Sequence, residues 1–325
     1  MAQPHKRRPR LADVARAAGV SVSTASRALN GYAEITAATR ERIEQAAVRL
    51  GYRAHSTARS LRVGDVGMAV AVVDAESLNP APGRVSYFWS RLLTDITMGL
   101  SEQHLALVTV IHDEAPALLG TLPYDVAMVL STRIDLSHVV EALPFGVPLV
   151  TATGPSAPTR SHVSLGHDYA GAAKECLTTL ANSGATKFAV LLPDIAHTHV
   201  EEFAAGAGEW FASQPGAGQV IRAQPDRLVP LVADLVAEGI DGLFCLLADG
   251  SDTYAALRAA GAEPGTDVHV VILSDGPVEA LLDPPATTLE LLPDESAKAV
   301  LDAVAAVLAG RRGHTVTPYR ITERC

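Results

Sequence analysis

Leu11-Ala12-Asp13-Val14-Ala15-Arg16-Ala17-Ala18-Gly19-Val20-Ser21-Val22-Ser23-Thr24-Ala25-Ser26-Arg27-Ala28-Leu29-Asn30 decides the reading of this chain. Leu11, Val14, Ala15 and Ala18 recur at three- and four-residue spacing, which predicts a short amphipathic helix. Gly19 then supplies a turn, with Val20 as its apolar plug. Ser21 has the side chain that caps a helix start, and the next helix runs through Leu29 to a stop at Asn30-Gly31. A third helix starts from a Thr36 cap, carries Ile43, Ala46, Ala47 and Leu50 on one face, and ends at Gly51. Helix, glycine turn, helix and third packing helix is the helix-turn-helix arrangement, whose second helix enters the major groove of DNA.

Charge supports a DNA partner. The chain of 325 residues carries a net charge of −10, but residues 1–62 hold twelve Lys/Arg against only Asp13, Glu34, Glu41 and Glu44. The head is therefore +8 and the remaining 263 residues −18. A basic head binds phosphate by counterion release, while an acidic body is kept off the duplex. Within the second helix, Val22, Ser23 and Ala25 are expected to face base edges, with Arg27 available for guanine. Ser21, Thr24, Ser26 and Asn30 have the short polar side chains that bond phosphates.

The composition excludes other classes. Apolar residues make up 48% and charged residues 19%, a globular balance. Cys176, Cys245 and Cys325 are odd in number and far apart, so they offer neither a disulfide framework nor a Cys-x-x-Cys metal site. No apolar run of signal-peptide length follows the basic N-terminus, and Met68–Val73 is too short to span a bilayer. A cytoplasmic address is expected. No Gly-x-Ser-x-Gly, Gly-x-x-x-x-Gly-Lys or His-Glu-x-x-His motif is present, so no enzyme and no cofactor is expected. His197-Thr198-His199 lacks a third ligand at matching spacing, and no metal site is assigned.

From Val66 onward, short apolar runs alternate with amphipathic helices, as a parallel α/β sheet requires. Strands are expected at Val66–Val73, Leu105–Ile111, Val126–Leu130, Pro148–Thr151, Lys187–Leu192, Gly242–Leu246 and His269–Ser274. Helices are expected at Phe88–Gln103, Ala170–Ser183, Val200–Ser213, Arg227–Glu238, Thr253–Ala260 and Asp294–Ala309. The Pro/Ser/Thr-rich stretch Gly154–Ser161 reads as the crossing between two such units.

The run Leu11–Asn30, with Thr39-Arg40-Glu41-Arg42-Ile43 through Leu50-Gly51-Tyr52, resembles the head of the LacI-type (lactose repressor) family of bacterial transcriptional regulators. The resemblance extends through the body. Gly146-Val147-Pro148, Asp168-Tyr169-Ala170-Gly171, Asp267-Val268-His269-Val270-Val271 and Pro285-Ala286-Thr287-Thr288-Leu289 stand where that family has comparable stretches. It implies an all-α helix-turn-helix domain at residues 1–51, a hinge at 52–64, and a two-lobed periplasmic-binding-protein-like α/β domain at 65–325. It further implies that Ala58-Arg59-Ser60-Leu61 orders on operator DNA, with Arg59 in contact and Leu61 wedged into the minor groove. Tyr52-Arg53-Ala54-His55 departs from the family's Tyr-x-Pro-Asn.

By the same resemblance a small-molecule effector, a sugar or other metabolite, lies between the lobes at the carboxyl ends of the strands. The residues expected there are Phe88, Trp89, His197, His199, Asp249 and Asp275. Phe203 stands where the family commonly has an arginine, so the pocket is rebuilt. A homodimer on a near-palindromic operator is expected, its dimer face including part of Phe88–Gln103, and the strand-like end Tyr319–Cys325 speaks for a dimer over a tetramer. The rival reading is a solute-binding receptor without DNA regulation, which would share the body but not the head.

Overall fold

The computed structural model describes residues 11–29, 35–50, 66–78, 86–152, 161–214 and 218–324. Two compact units emerge, Met1–Gly67 and Met68–Cys325. Three helices make the first: α1 (Leu11–Ala17), α2 (Val22–Leu29) and α3 (Ala37–Leu50). Val14, Ala15, Ala18, Ala25, Ala28, Ile43, Ala46 and Ala47 form its core. Alanine dominates because short side chains let the helix axes approach closely enough for so small a unit to exclude water. Gly19 sits at φ +64°, a conformation that costs glycine little and other residues more. Ser21 Oγ accepts from the Thr24 N–H at 3.0 Å, the cap expected for α2. Arg42 Nε donates to the Ala18 carbonyl at 3.1 Å, tying α3 to the turn after α1.

The second unit carries two six-stranded sheets. The first holds β1 (Met68–Val73), β2 (Ala106–Ile111), β3 (Val126–Val129), β4 (Leu149–Thr151), β5 (His162–His167) and, far along the chain, β11 (Gly313–Thr317). Its order is β11-β5-β4-β3-β1-β2, with every pairing parallel. The second sheet holds β6 (Phe188–Pro193), β7 (Gly218–Ala223), β8 (Gly242–Cys245), β9 (His269–Leu273), β10 (Thr287–Glu290) and β12 (Arg320–Thr322), in the order β12-β10-β9-β8-β6-β7. Only its β10–β12 pair is antiparallel.

Helices cover both faces of each sheet, which is why β1, β3 and β8 are apolar at every position and not alternately. In the first lobe α5 (Tyr87–Glu102) and α12 (Pro293–Leu308) pack over one face, with Leu92, Ile96, Leu100, Val300 and Val304 buried against the sheet. The opposite face buries Leu119 and Val139 from α6 (Ala115–Leu119) and α7 (Ser137–Ala142). The second lobe is covered by α8 (Tyr169–Asn182) and α9 (Thr198–Ser213) on one side, and by α10 (Leu228–Ala237) and α11 (Gly250–Ala259) on the other. One further short helix, α4 (Ala75–Leu78), follows β1.

Among the described residues the chain passes between the lobes three times: at His167–Tyr169, at Glu290–Pro293 and at Thr317–Arg320. This corrects the expectation that Gly154–Ser161 makes the first crossing. The strands flanking that stretch, β4 and β5, pair with each other in one sheet, so the crossing comes after β5. The crossings are laced together. Thr317 Oγ1 donates to the Gly166 carbonyl at 2.9 Å and lies 3.0 Å from His167 Nδ1. Tyr319 Oη donates to Glu175 at 2.9 Å, and Arg320 Nε to Glu290 at 3.0 Å. At the middle crossing Leu292 takes the left-handed φ of +54°, unusual for a residue with a γ-branched side chain.

The packing of α8 on α9 depends on Gly206. A Cβ built there would stand 2.3 Å from the Ala170 carbonyl oxygen, and backbone cannot step aside as a side chain can. Gly206→Ala is therefore expected to cost the body about 1–3 kcal/mol, the usual scale for overpacking. Denaturant unfolding followed by tryptophan emission checks this, since Trp210 reports on the same helix.

Candidate DNA-reading head and interlobe cavity

Helix α2 presents Ser21, Val22, Ser23 and Arg27 to solvent, with Thr24 half-buried. Val22, at 49% exposed, is an apolar side chain that nothing in the head's own core requires to be outside. Ser21 Oγ lies 2.8 Å from both Ser23 Oγ and Thr24 Oγ1, so the three hydroxyls form one cluster at the helix N-terminus. That end also carries free N–H groups and the positive pole of the helix dipole, which favour phosphate. Two residues of the expected reading face turn the other way. Ser26 is 6% exposed and Ala25 fully buried, because both lie on the stripe that packs α2 against its neighbours. Asn30, Arg59 and Leu61 lie outside the described residues, as does the Tyr52–His55 departure.

The body holds a cavity of about 720 Å³ between its lobes. It opens at the carboxyl ends of β8 and β9 on one side and at the N-terminus of α5 on the other. Its volume suits a molecule of disaccharide size. Tyr87, Phe88 and Trp89 supply an aromatic wall, and Phe88 and Trp89 meet edge to face at 5.6 Å. Ser86 holds that wall in place, since its Oγ accepts from the Trp89 N–H and caps α5. His199, Asp249 and Asp275 also line the cavity. Asp249 caps α11 through the Asp252 N–H at 2.9 Å.

Asp275 links cavity and crossing. Its Oδ1 accepts from the Leu292 N–H at 2.7 Å and so pins the left-handed turn of the middle crossing. Burial raises this carboxyl to about 7, partly opposed by backbone N–H groups of Leu292 and Leu291 and assisted by the nearby negative charges of Glu290 and Asp294.

The sequence brought His197 and His199 together as effector contacts, and the structure separates their settings. His199 faces the cavity, while His197 is 4% exposed and outside its lining. Both rings meet Thr132 Oγ1, His197 Nδ1 at 2.9 Å and His199 Nδ1 at 3.0 Å. Burial lowers both imidazoles, His199 to about 4, so they are neutral at physiological pH. Around them runs a bridge between the lobes. The Thr198 N–H donates to the Thr132 carbonyl at 2.7 Å, and the Ile134 N–H to the Ala196 carbonyl at 3.2 Å. Arg133 Nε donates to Asp74 Oδ1 at 3.0 Å, and its other arm pairs with Glu76.

Asp74, Glu76, Thr132 and Arg133 were not singled out from sequence. Asp74 left a trace there, as the first polar residue after an apolar strand, but its partner lies 59 residues away. Phe203, standing where the resemblance leads one to expect an arginine, is sealed in the core between Tyr169 and Phe244.

Residues 10–55 match the family described as bacterial regulatory proteins, lacI family. The match covers the head alone, and identifies it as a LacI-type DNA-binding head. The chain is a DNA-binding transcriptional regulator. The HTH-type transcriptional regulator CelR of Thermobifida fusca is 25% identical over 347 aligned positions, covering 97% of this chain and 96% of the relative. Among solved structures, the lac repressor dimer bound to operator and the anti-inducer ONPF matches with a TM-score of 0.80 at 19% identity, over 98% of each chain. The CelR–cellobiose complex matches with a TM-score of 0.65 at 23% identity, over 98% of this chain and 99% of that one. These two likenesses establish the LacI two-lobed fold. No helix among the described residues is long and apolar enough to cross a membrane. No group of three or more metal-ligating side chains occurs among them.

The raised Asp275 carboxyl has a measurable consequence. A folded value near 7 against about 3.9 unfolded means the folded state holds its proton more tightly, so ionisation costs stability as pH rises from about 4 to about 7. Asp275→Asn removes that cost while keeping an acceptor for the Leu292 N–H. The variant is expected to gain stability over the wild type on the order of 1–3 kcal/mol at about pH 8 and distinctly less at about pH 5. Denaturant midpoints at the two pH values check the sign.

Proposed function

We propose that the chain is a LacI-family regulator that binds a hydroxylated, sugar-sized effector in its interlobe cavity, and that occupancy sets the affinity of the head for operator DNA. The observation that carries the reading is the Asp275 carboxylate, which lines the cavity and also holds the Leu292 N–H of a crossing. A ligand hydroxyl that bonds Asp275 therefore acts on the backbone joining the lobes. Trp89 and Phe88 offer the flat apolar surface on which a sugar ring stacks, and His199, Asp249 and Asp275 the polar groups that orient it. The relatives agree in kind, one having been solved with cellobiose and another with operator and ONPF.

The working unit is a homodimer whose two heads read the half-sites of a near-palindromic operator, because two-fold protein symmetry imposes two-fold DNA symmetry. Part of α5 contributes to the dimer face, where Met98 stands 63% exposed. Residues 1–51 read the DNA, 52–64 are the hinge with Arg59 and Leu61, and 65–325 bind effector and dimerise. The protein acts in the cytoplasm as a repressor. Ser21, Thr24 and Asn30 bond phosphates, with Val22, Ser23 and Arg27 at base edges. Ser26, turned inward, contributes by fixing the helix. A coupling of about 1–3 kcal/mol between the two sites, roughly 5- to 150-fold in affinity, is the typical scale.

Selection of bound sequences from a random duplex pool by the full-length protein tests the DNA half. The expected result is an enriched near-palindrome with a steep loss of affinity at higher salt. Enrichment of a sequence without two-fold symmetry would contradict the dimer reading. On the selected operator, Arg27→Ala is expected to cost about 1–3 kcal/mol and to relax one position per half-site, measured by competition binding. Equal affinity for all variants of that position in the wild type would remove Arg27 from the base contacts.

A further inference from the structure

The charges around the cavity are unbalanced. Asp249, Asp252, Asp275 and Glu279 line it, and no Lys or Arg does among the described residues. His199, the one imidazole there among the described residues, is neutral because burial lowers it to about 4. Three of the carboxylates have structural duties: Asp249 caps α11, Asp252 sits in that helix's first turn, and Asp275 holds Leu292.

Glu279 is different. It is 2% exposed, in the short 3₁₀ turn Val278–Leu281 that follows β9. Its Oε1 receives one long bond, from the Gly250 N–H at 3.4 Å. Its Oε2 is buried with no hydrogen-bond partner. That oxygen lies beside Gly276, 3.7 Å from where a Cβ would stand, so it faces the cavity across a residue that has no side chain to cover it. A carboxylate so deeply withdrawn from water is costly unless something else meets its charge.

A neutral polyol would give Glu279 hydrogen bonds but no charge. An ammonium group gives both. It also gains from the aromatic wall, since the faces of Trp89 and Phe88 attract cations. Phe203, closed into the core, brings no positive charge from the protein's side.

We propose that the effector is a carbohydrate-sized molecule carrying a protonated amine, with Glu279 as its counter-ion. The inference rests on the cavity being the effector site. An amino sugar has the required combination of rings for the aromatic wall, hydroxyls for Asp275 and a cation for Glu279.

Three disaccharides with one ring-and-linkage skeleton test this on the full-length protein: the dimer of glucosamine, its N,N′-diacetyl form, and cellobiose. Binding is read near neutral pH by calorimetry and by tryptophan emission. The diamine is expected to bind at least about tenfold more tightly than either neutral sugar, the scale of a charge-assisted contact in a dry site. Raising salt should weaken the diamine and leave cellobiose nearly unchanged. Glu279→Gln should bring the diamine within about threefold of cellobiose while raising the melting temperature of the ligand-free protein, because an unmet buried charge has been removed. A merely structural glutamate would instead give a lower melting temperature and an unchanged preference.

The inference is overturned if a neutral sugar binds as tightly as the diamine, if the preference survives Glu279→Gln, or if none of the three binds. Cellobiose binding with a change in tryptophan emission, and without diamine preference, would leave the cavity reading standing and remove only the amine. A sugar that alters DNA binding without altering that emission would remove the cavity reading itself.

Discussion

The bond from the Leu292 N–H to the Asp275 carboxylate joins the wall of the cavity to the backbone that carries the chain from one lobe to the other. Two doubly wound sheets cannot share one core, so each lobe closes on its own apolar faces and the link between them is thin. Among the described residues, three crossings and the backbone and side-chain bridge around Thr132 supply it. Within a lobe, a change of shape would have to break close packing, whereas at the crossings it need only turn a few backbone dihedrals. Left-handed Leu292 is one of those dihedrals, held in place by an acceptor that also faces the cavity. Cavity wall and lobe geometry therefore meet in a single carboxylate.

The bridge built on Thr132 works against free movement there. Its hydroxyl meets two neutral imidazoles from the other lobe, its carbonyl takes the Thr198 N–H, and Arg133 is tied back to Asp74 and Glu76. Such a network is strong only while every member is satisfied, since the same low dielectric that strengthens it penalises an unpaired group. It favours one arrangement of the lobes, against which the effector must act by differential binding.

The head was legible because its signals are local: three- and four-residue spacing, a serine cap, a glycine turn and a run of basic residues within one short stretch. The body's strands were legible where both faces are buried, as in Met68–Val73 and Phe188–Pro193. They were obscure where they are not. His162–His167 alternates polar and apolar residues and Gly218–Ala223 is an edge strand, so neither stood out, and the first crossing was set too early in consequence. The cavity's aromatic wall and Asp275 followed from the resemblance. Glu279 did not, because a glutamate between Val278 and Ala280 reads as a solvated turn residue, and only the fold shows that it is buried. The Thr132 bridge is assembled from segments some sixty-five residues apart, and no local pattern announces it.

In the proposed function, occupancy of the interlobe cavity and affinity for operator DNA are one equilibrium seen from two ends. The chain's two tryptophans make it directly measurable, because Trp210→Phe leaves Trp89, in the cavity wall, as the sole reporter. In that background, one titration of an active effector against the protein–operator complex is followed simultaneously by Trp89 emission and by DNA anisotropy. Both signals are expected to change over the same concentration range, with operator DNA shifting effector affinity by the same factor as effector shifts DNA affinity. Full occupancy reported by Trp89 with DNA affinity unchanged, or a change in DNA affinity with Trp89 silent, would contradict the proposed function.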